Sequence, residues 1–301
     1  MTKSNHDIAP PVTDTVLEVT RFTSLVSGPH LLLLGAVHGD EICGPIALKQ
    51  LIMEIQRGTL SLISGALTIV PVCNPRAHHL GKRFVEKNLN RVIVPKKDPV
   101  LYEEQLSQKI ISLIDTCDIL LDLHSYHTHG PAFVCNDVLS QESEAFAKIL
   151  GPSYSLTGWD NVFETKETAN MIEGDTQIYA RHRGKLALTL ECGQHNDPNA
   201  PEIALQAAKN ALAYFKLCNL PQPRPDEAHK LITFKQMFPK KDHGSLTQDW
   251  GHMDPIKKGD IVATYEDGGS LASPMDGYIL LPKPVCDIGE EWFYIGVETG
   301  Q

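Results

Sequence analysis

The stretch LLLLGAVHGDE, residues 31 to 41, decides the fold. Four consecutive leucines before a glycine have the length of a strand but lack polar alternation, so they indicate a strand buried on both faces. Three similar apolar runs follow later in the chain, and together the four runs predict a sheet with a buried centre. These runs are ALTIVPV at 66 to 72, DILLDL at 118 to 123 and KLALTL at 185 to 190.

Segments with helical spacing of apolar residues lie between the predicted strands. Another helix is expected from Ile203 to Leu217, after Pro201, a residue that suits a first helical turn. Strands that alternate with helices predict an α/β fold with a mixed, largely parallel sheet flanked by helices. The periodic residues are Leu48, Leu51, Ile52 and Ile55 in the first helix, and Leu106, Ile110, Leu113 and Ile114 in the second.

The sequence changes character from about Ala228. Short runs are now separated by turn-forming segments, which predicts a small all-β domain. This part is similar to half of a biotinyl or lipoyl barrel-sandwich, but it has no lysine-bearing hairpin tip, so we exclude a swinging-arm carrier. We therefore predict a catalytic domain over residues 1 to 220 and a barrel-sandwich-like domain over residues 228 to 301. The turn segments are KKGD at 257 to 260, EDGG at 266 to 269 and MDG at 275 to 277.

Composition excludes several classes of function. Acids outnumber bases 37 to 27, and the formal charge of -10 argues against nucleic acid or an anionic membrane as a partner. The N-terminal residues lack the apolar run of a secretory signal, and no apolar stretch is long enough to cross a bilayer. Seven cysteines without a CxxC pair suggest reduced thiols. We expect a cytoplasmic protein, and a homo-oligomer is compatible with the sequence.

Polar side chains capable of chemistry follow each predicted strand. Ligands bind at the carboxyl ends of strands in open α/β sheets, so these side chains are expected to converge on one site. They are His38 and Glu41 after the first strand, Asn74 and Arg76 after the second, His124 after the third and Glu191 after the fourth.

The pair His38 and Glu41 is a candidate for metal binding. The two residues lie three positions apart in a tight turn, where an imidazole and a carboxylate can reach one ion, and His124 would be the distant third ligand. Two histidines and one glutamate are a ligand set of hydrolytic zinc that leaves one position open. His127 and His129 are alternative ligands, and any of these histidines can instead be a hydrogen-bonded structural residue. We predict one Zn²⁺ per chain.

The segment from residue 75 to residue 97 is strongly basic. It has seven Lys or Arg residues and one acid, Glu86, in a chain that is acidic elsewhere. Arginine binds carboxylates well because its planar fork donates two parallel hydrogen bonds. The segment therefore predicts an anionic substrate, although a solvated basic loop would have the same composition.

Four motifs in order resemble the succinylglutamate desuccinylase and aspartoacylase family, which is related to the zinc carboxypeptidases. The resemblance covers roughly residues 30 to 195. It implies an α/β zinc-carboxypeptidase-like fold whose C-terminal β domain narrows the active site. The motifs are GAVHGDE, NPRAHHLGKRFVEKNLNR, DLH and LTLECG.

The resemblance also implies roles for individual residues. Arg181 is placed as a further substrate-binding arginine, with Arg183 as the neighbouring alternative. Tyr294 is a guess for the tyrosine that the C-terminal domain contributes in this family, and core packing is the alternative for it. The other roles are zinc binding by His38, Glu41 and His124, contact with the reacting carbonyl by Arg83, substrate carboxylate binding by Asn90 and Arg91, and proton transfer by Glu191.

These observations favour a zinc-dependent hydrolase that cleaves the amide bond of a small, anionic N-acyl amino acid. A zinc carboxypeptidase acting on peptides uses the same metal chemistry and is the first alternative. A non-enzymatic zinc-bound binding module is the second. The acyl group and the amino acid are left open.

Overall fold

The structure is a computed structural model that describes residues 15 to 162 and 174 to 299 of the chain. Its strands are β1 (Thr20–Thr23), β2 (His30–Gly35), β3 (Ala66–Val70), β4 (Ile119–Tyr126), β5 (Phe133–Cys135), β6 (Tyr154–Thr157), β7 (Leu186–Gln194), β8 (Lys230–Pro239), β9 (Gly244–Leu246), β10 (Asp254–Ile256), β11 (Ile261–Tyr265), β12 (Ser270–Ala272), β13 (Gly277–Leu280) and β14 (Glu291–Glu298). Its α-helices are α1 (Cys43–Gln56), α2 (Pro75–His79), α3 (Tyr102–Thr116), α4 (Gln141–Ile149), α5 (Trp159–Val162), α6 (Thr176–His182) and α7 (Ala200–Tyr214), and a 3₁₀ turn spans Leu89–Arg91.

Eleven of these strands form one mixed sheet, in the order β1-β3-β2-β4-β7-β5-β6-β8-β14-β13-β10. The strands at its centre, β3, β2, β4 and β7, are parallel neighbours. They coincide with the four apolar runs, so the predicted mixed, largely parallel α/β fold is confirmed. The remaining strands form a three-stranded antiparallel sheet, β12-β11-β9.

The four leucines of β2 show why the central strands are apolar on both faces. Leu31 and Leu33 belong to a core that contains residues of α1 and α7, whereas Leu32 and Leu34 belong to a second core that contains residues of α3. All four side chains have no exposed surface. Because helices cover both faces, side chains on both faces of these strands are mostly apolar.

The C-terminal residues form strands, as predicted. Strand β8 pairs with β6 in parallel and with β14 in antiparallel orientation, so the C-terminal strands extend the main sheet. Tyr294 packs against Phe234 and Trp159 from the two sides of the predicted boundary near residue 220. The division into domains 1 to 220 and 228 to 301 stays a prediction. In the described ranges, no helix is long and apolar enough to cross a bilayer.

His252 joins the C-terminal strands to β4 and β5. Its ring is buried. The ring centre lies 4.5 Å from the ring centre of Phe133 and 5.3 Å from that of Tyr126. Its Nδ1 accepts a hydrogen bond from the Leu281 amide, so the ring is neutral and Nε2 carries the proton. Burial lowers the pKa of His252 to about 3.

We expect this histidine to make the fold sensitive to acid. The unfolded chain takes up a proton on His252 below pH of about 6.5 while the folded chain does not, so stability is present above that pH and is lost as the pH falls toward 3. His252→Gln should reduce the pH dependence of the unfolding free energy between pH 6 and 4 by about 1.4 kcal/mol per pH unit. Urea titrations at several pH values measure this. An unchanged slope, with exposed His182→Gln as control, would contradict it.

Candidate active site

The carboxyl ends of the central parallel strands bring together most of the residues that the sequence places after these strands. The exceptions are Asn74 and Arg76, which do not line the site cavity in the described ranges, and the Asn74 side chain instead donates to Glu103. His38 and Glu41 follow β2, and His124 lies near the end of β4. Glu191 on β7 is the register partner of His124, so the two residues are neighbours across the sheet. Side chains that are far apart in the sequence therefore meet at one edge of the sheet.

His38, Glu41 and His124 form a compact buried cluster. The Glu41 carboxylate lies between the two imidazoles, with Oε1 2.7 Å from His38 Nδ1 and Oε2 2.9 Å from His124 Nδ1. One ligand atom from each residue lies within 4.8 Å of the others. The Ser125 amide also donates to Glu41 Oε2 over 3.2 Å, which fixes the carboxylate. These atoms are a suitable donor set for one metal ion.

Oxygen atoms outside the cluster orient both imidazoles. His38 Nε2 lies 3.1 Å from Asn88 Oδ1, and His124 Nε2 lies 3.0 Å from Asp122 Oδ2. Asp122 is itself held by the Thr176 hydroxyl. Outer partners of this kind fix the tautomer and ring orientation of metal-binding histidines. Both rings therefore direct Nδ1 toward the position between the three side chains.

The protonation of His38 also fits a cation. Burial and the charge of Arg83 lower its pKa to about 4, so the ring is neutral near pH 7 and has one proton. That proton cannot serve both Asn88 Oδ1 and Glu41 Oε1, which are both acceptors. A cation between Nδ1 and the Glu41 carboxylate removes this shortage of donors. The residues present therefore fit a metal.

Attraction between carboxylates and imidazoles dominates the electrostatics of His124 and Glu41. Burial opposes the charged form of His124, but Asp122 and Glu41 outweigh it and raise the pKa of the imidazole well above its usual range. Burial likewise opposes ionisation of Glu41, but His38 and His124 hold the pKa of its carboxyl well below its usual range. The cluster thus keeps Glu41 as a carboxylate, the form that binds metal.

Close backbone packing sets the turn between His38 and Glu41. A Cβ atom at Gly39 would lie 2.3 Å from the Ala77 carbonyl carbon, so only glycine fits there. The His78 ring contacts the Gly39 carbonyl at 2.8 Å. Helix α2 of the basic segment therefore supports the loop that carries two of the three ligands.

Buried Glu103 on α3 holds the basic segment in place. Its carboxylate accepts hydrogen bonds from the Val85, Glu86 and Lys87 amides over 2.7 to 3.1 Å. These contacts fix the stretch between Arg83 and Asn88 above the cluster. This part of the basic segment therefore has a fixed backbone conformation and is not a free, solvated loop.

Glu191 lies beside the cluster of His38, Glu41 and His124, and one of its carboxylate oxygens makes no hydrogen bond to a described residue. Its side chain lines the cavity, and its buried Oε2 has no hydrogen-bond partner among the described residues. Burial raises the pKa of the Glu191 carboxyl to about 8, and the charge of Glu41 adds to this effect, whereas His124 and Arg83 oppose it. A carboxyl group tuned toward neutral pH is suited to proton transfer.

The cluster opens into a cavity of about 820 Å³. Arg83, Asn90 and Arg91 line it, and Arg83 Nη1 donates to Glu41 Oε1 over 3.2 Å. The Asn90 side chain bonds the Thr176 amide and Asp175, and Arg91 Nη1 donates to the Asn90 carbonyl over 2.7 Å. Asn90 and Arg91 are thus fixed at the cavity wall.

Other candidates lie in different places. Arg183 forms a surface ion pair with Asp115 over 2.9 Å. Arg181 is absent from the part of the cavity wall that the structure describes, and its buried Nε and Nη1 have no hydrogen-bond partner there. His127 lines the cavity but is outside the cluster, with Nε2 3.0 Å from the Pro282 carbonyl. Tyr294 lines the cavity and belongs to the core as well.

Several polar residues at the cavity were not selected from the sequence. Among them are Asp40, Ser125 and His195, which all line it. Ser125 follows His124 directly, and His195 lies four positions beyond Glu191. Closeness to a strand end that bears a predicted site residue is the signal that would have found them.

The chain is similar to known proteins of one family. Residues 27–218 match the succinylglutamate desuccinylase/aspartoacylase catalytic domain. Over 254 residues the chain is 26% identical to N-alpha-acetyl-L-2,4-diaminobutyric acid deacetylase of Halomonas elongata, covering 80% of this chain and 71% of that protein. It is 29% identical over 117 residues to succinylglutamate desuccinylase of Pseudomonas aeruginosa, covering 36% of this chain and only 35% of that protein.

Solved structures share the fold. A succinylglutamate desuccinylase/aspartoacylase from Rhodobacter sphaeroides aligns with a TM-score of 0.76 at 17% identity, over 95% of this chain and 90% of that chain. The product-bound ectoine utilization protein from Ruegeria pomeroyi aligns with a TM-score of 0.73 at 22% identity, over 93% and 88% of the two chains. The matched catalytic domain spans most of this chain, which belongs to the succinylglutamate desuccinylase/aspartoacylase family.

Proposed function

We propose that the chain is a zinc-dependent hydrolase that cleaves the amide bond of a small N-acyl amino acid. The observation that carries the proposal is the juxtaposition of two groups at one cavity. The buried cluster of His38, Glu41 and His124 lies beside Glu191, whose Oε2 has no partner among the described residues. This combination suits activation of a water molecule by a metal and a base.

His38, Glu41 and His124 would hold one zinc ion through two imidazole nitrogens and one carboxylate. Zinc supplies a Lewis acid that lets water ionise near neutral pH. Asn88 and Asp122 keep the two imidazoles in the tautomer that such binding requires. The three proposed ligands and their outer partners would therefore be preorganised for binding one metal ion.

Glu191 would accept a proton at Oε2 from the attacking water and deliver it to the departing amine. Burial within the protein raises the pKa of the Glu191 carboxyl to about 8. Positive charge added at the adjacent cluster would lower this pKa again. The carboxylate is then available at neutral pH. In the proposed reaction, Glu191 Oε2 has only this proton-transfer role.

Arg83 would donate a hydrogen bond to the carbonyl oxygen as negative charge develops there. Its side chain is 44% exposed, so it can turn from Glu41 toward a substrate in the cavity. A hydrogen-bond donor to the developing oxyanion stabilises the transition state by about 3 to 4 kcal/mol. Arg83 would therefore affect kcat more than KM.

Asn90 and Arg91 would bind the carboxylate of the amino-acid part. Their mutual hydrogen bond and the contact of Asn90 with Asp175 hold them in place before a substrate arrives. Such positioning sets the distance between the amide and the metal cluster. A contribution of Arg181 to the same carboxylate stays a prediction.

The relatives suggest the substrate class. The Halomonas elongata protein is named for an N-acetyl substrate with a second amino group, and the Pseudomonas aeruginosa protein for an N-succinyl substrate with additional carboxylates. Both are small N-acyl amino acids with a free carboxylate. We infer that this chain acts on the same class, in the cytoplasm and without a membrane or nucleic-acid partner.

Turnover across a small panel of substrates tests this proposal. The zinc-loaded protein would be assayed with N-acetyl-L-2,4-diaminobutyrate, N-acetyl-L-aspartate and N-succinyl-L-glutamate, each with its α-carboxylate free or amidated. We expect cleavage of at least one free acid and a loss of about 100-fold or more in kcat/KM for its amide, because Arg91 loses a charge-assisted bidentate partner. Cleavage of an unacylated dipeptide but of no N-acyl amino acid would instead indicate a carboxypeptidase.

A further inference from the structure

His195 is a rigidly held histidine that the proposed mechanism does not use. It directly follows β7, and its backbone amide donates to the Tyr126 carbonyl over 2.9 Å. Its ring Nδ1 lies 2.8 Å from Ser125 Oγ. The residue is thus fixed to β4 at two points, one through its backbone and one through its ring, and the side chain lines the cavity.

The hydrogen bond to Ser125 decides which ring nitrogen carries the proton. In the described part of the chain, the Ser125 hydroxyl has no acceptor other than His195 Nδ1. A hydroxyl at a buried position needs an acceptor, so Ser125 donates and Nδ1 accepts. The proton of the neutral ring therefore lies on Nε2. Since the described residues offer Nε2 no hydrogen bond, it is a free donor at the cavity wall.

Contacts along β4 place His195 on one side of the metal cluster. Ser125, which holds the His195 ring, directly follows His124, and successive side chains of a strand point to opposite faces of the sheet. Leu123, on the Ser125 side, belongs to the core that contains residues of α1 and α7, whereas Leu120, on the His124 side, belongs to the core that contains residues of α3. His195 therefore lies on the α1 and α7 side of the cluster.

The proposed carboxylate-binding residues lie on the other side. Arg91 Nη1 donates to the Asn90 carbonyl, and the Asn90 side chain accepts a hydrogen bond from the Thr176 amide. The Thr176 hydroxyl donates to Asp122, which shares the His124 face of β4. A substrate with its carboxylate at Arg91 and its amide at the cluster therefore extends its acyl group toward the opposite side, where His195 lies. The two sides correspond to the two halves of an N-acyl amino acid.

We propose that His195 contacts the acyl group of the substrate through Nε2–H and selects acyl groups that carry an oxygen acceptor beyond the scissile carbonyl. The proposal rests on the proposed deacylase function and assigns the acyl half of its specificity. A carboxylate or a hydroxyl at the end of the acyl chain supplies such an acceptor. Asp40, which lines the same cavity, can accept a hydrogen bond from a hydroxyl but repels a carboxylate, so the two kinds of acyl group are tested separately.

The test compares acyl groups of equal length on one amino acid. N-succinyl, N-(4-hydroxybutyryl) and N-butyryl derivatives would be assayed with wild-type, His195→Phe and His195→Gln proteins, each loaded with zinc. We expect wild type to prefer at least one oxygen-bearing acyl group over butyryl. His195→Phe should reduce that preference by about 10-fold or more, because it removes the donor, and His195→Gln should retain most of it.

The matched control is His229→Phe. His229 is also a partly buried histidine bonded to a serine hydroxyl, with Nε2 2.7 Å from Ser155 Oγ, but it does not line the active-site cavity. Its substitution should leave the acyl preference unchanged. A second readout compares two amino acids with the same acyl group. His195→Phe should not alter their ratio, because His195 acts on the acyl half alone, whereas a merely structural defect would leave the acyl preference unchanged as well.

The outcomes separate the two proposals. If wild type cleaves these substrates and folded His195→Phe keeps the same acyl preference within about twofold, the role of His195 is refuted while the deacylase function stands. If wild type cleaves no N-acyl amino acid, the deacylase function is refuted. His195 is then judged by calorimetric binding of succinate, 4-hydroxybutyrate and butyrate to the zinc-loaded protein. Equal affinities of wild type and His195→Phe for all three would overturn its role.

Discussion

Glu191→Gln is expected to lower kcat by about 10² to 10⁴, the usual contribution of a general acid or base. The change keeps the shape of the side chain and removes its ability to accept a proton. Glu191 is the register partner of His124 but is not one of the clustered ligands, so zinc content and fold should persist. Steady-state kinetics on the best substrate, together with elemental analysis and thermal unfolding, measure the three quantities.

The alternative role for Glu191 is structural, and it leads to a different result. In that case the variant would lose thermal stability and its activity would follow the folded fraction. The unpartnered Oε2 argues against a structural hydrogen bond. A folded, zinc-replete Glu191→Gln protein that keeps more than about a tenth of the wild-type kcat would rule out the proton-transfer role, because loss of a general base costs more than that.

His124→Ala is expected to reduce the zinc content from one ion per chain to less than about a tenth of that, with a parallel loss of activity. Two ligands would remain, and loss of even an outer partner costs 10- to 100-fold in metal affinity. His127→Ala is the matched control, because His127 lines the same cavity but is bonded to the Pro282 carbonyl. Retention of zinc by His124→Ala and its loss from His127→Ala would reverse the ligand assignment.

The central sheet could be predicted because its strands contain apolar runs with little polar alternation. LLLLG and the three runs like it coincide with β2, β3, β4 and β7. Pro201 lies in the first turn of α7, as expected, although that helix ends at Tyr214 rather than Leu217. Short strands such as β5 and β6 were not predicted, because three or four residues carry too little periodicity to be distinguished from a loop.

The sequence could predict that His38, His124 and Glu191 meet at one place, but not the contacts that hold them there. The rule that ligands bind at strand ends applies to His38, His124 and Glu191, whose surroundings the sheet register then fixes. The anchor made by Glu103 could not be foreseen, because the sequence gives no sign that an acid on α3 caps the backbone of residues 85 to 87. Such contacts depend on how a helix and a distant loop pack.

The C-terminal strands illustrate another limit. Their turn-rich sequence predicts strands but not their partners. Strand β8 pairs with β6, and the aromatic contacts of Tyr294 cross the predicted boundary. Pairing between distant segments is a tertiary property, because edge hydrogen bonds carry no local sequence signal.

Metal removal and restoration test the central claim most directly. The protein would be stripped with a chelator, titrated with zinc and assayed at each step with the N-acyl amino acid that wild type cleaves best. We expect activity to disappear when the metal is removed and to return in proportion to the zinc added, with saturation at one equivalent per chain. Undiminished hydrolysis by the metal-free protein, or saturation only at two equivalents, would contradict it.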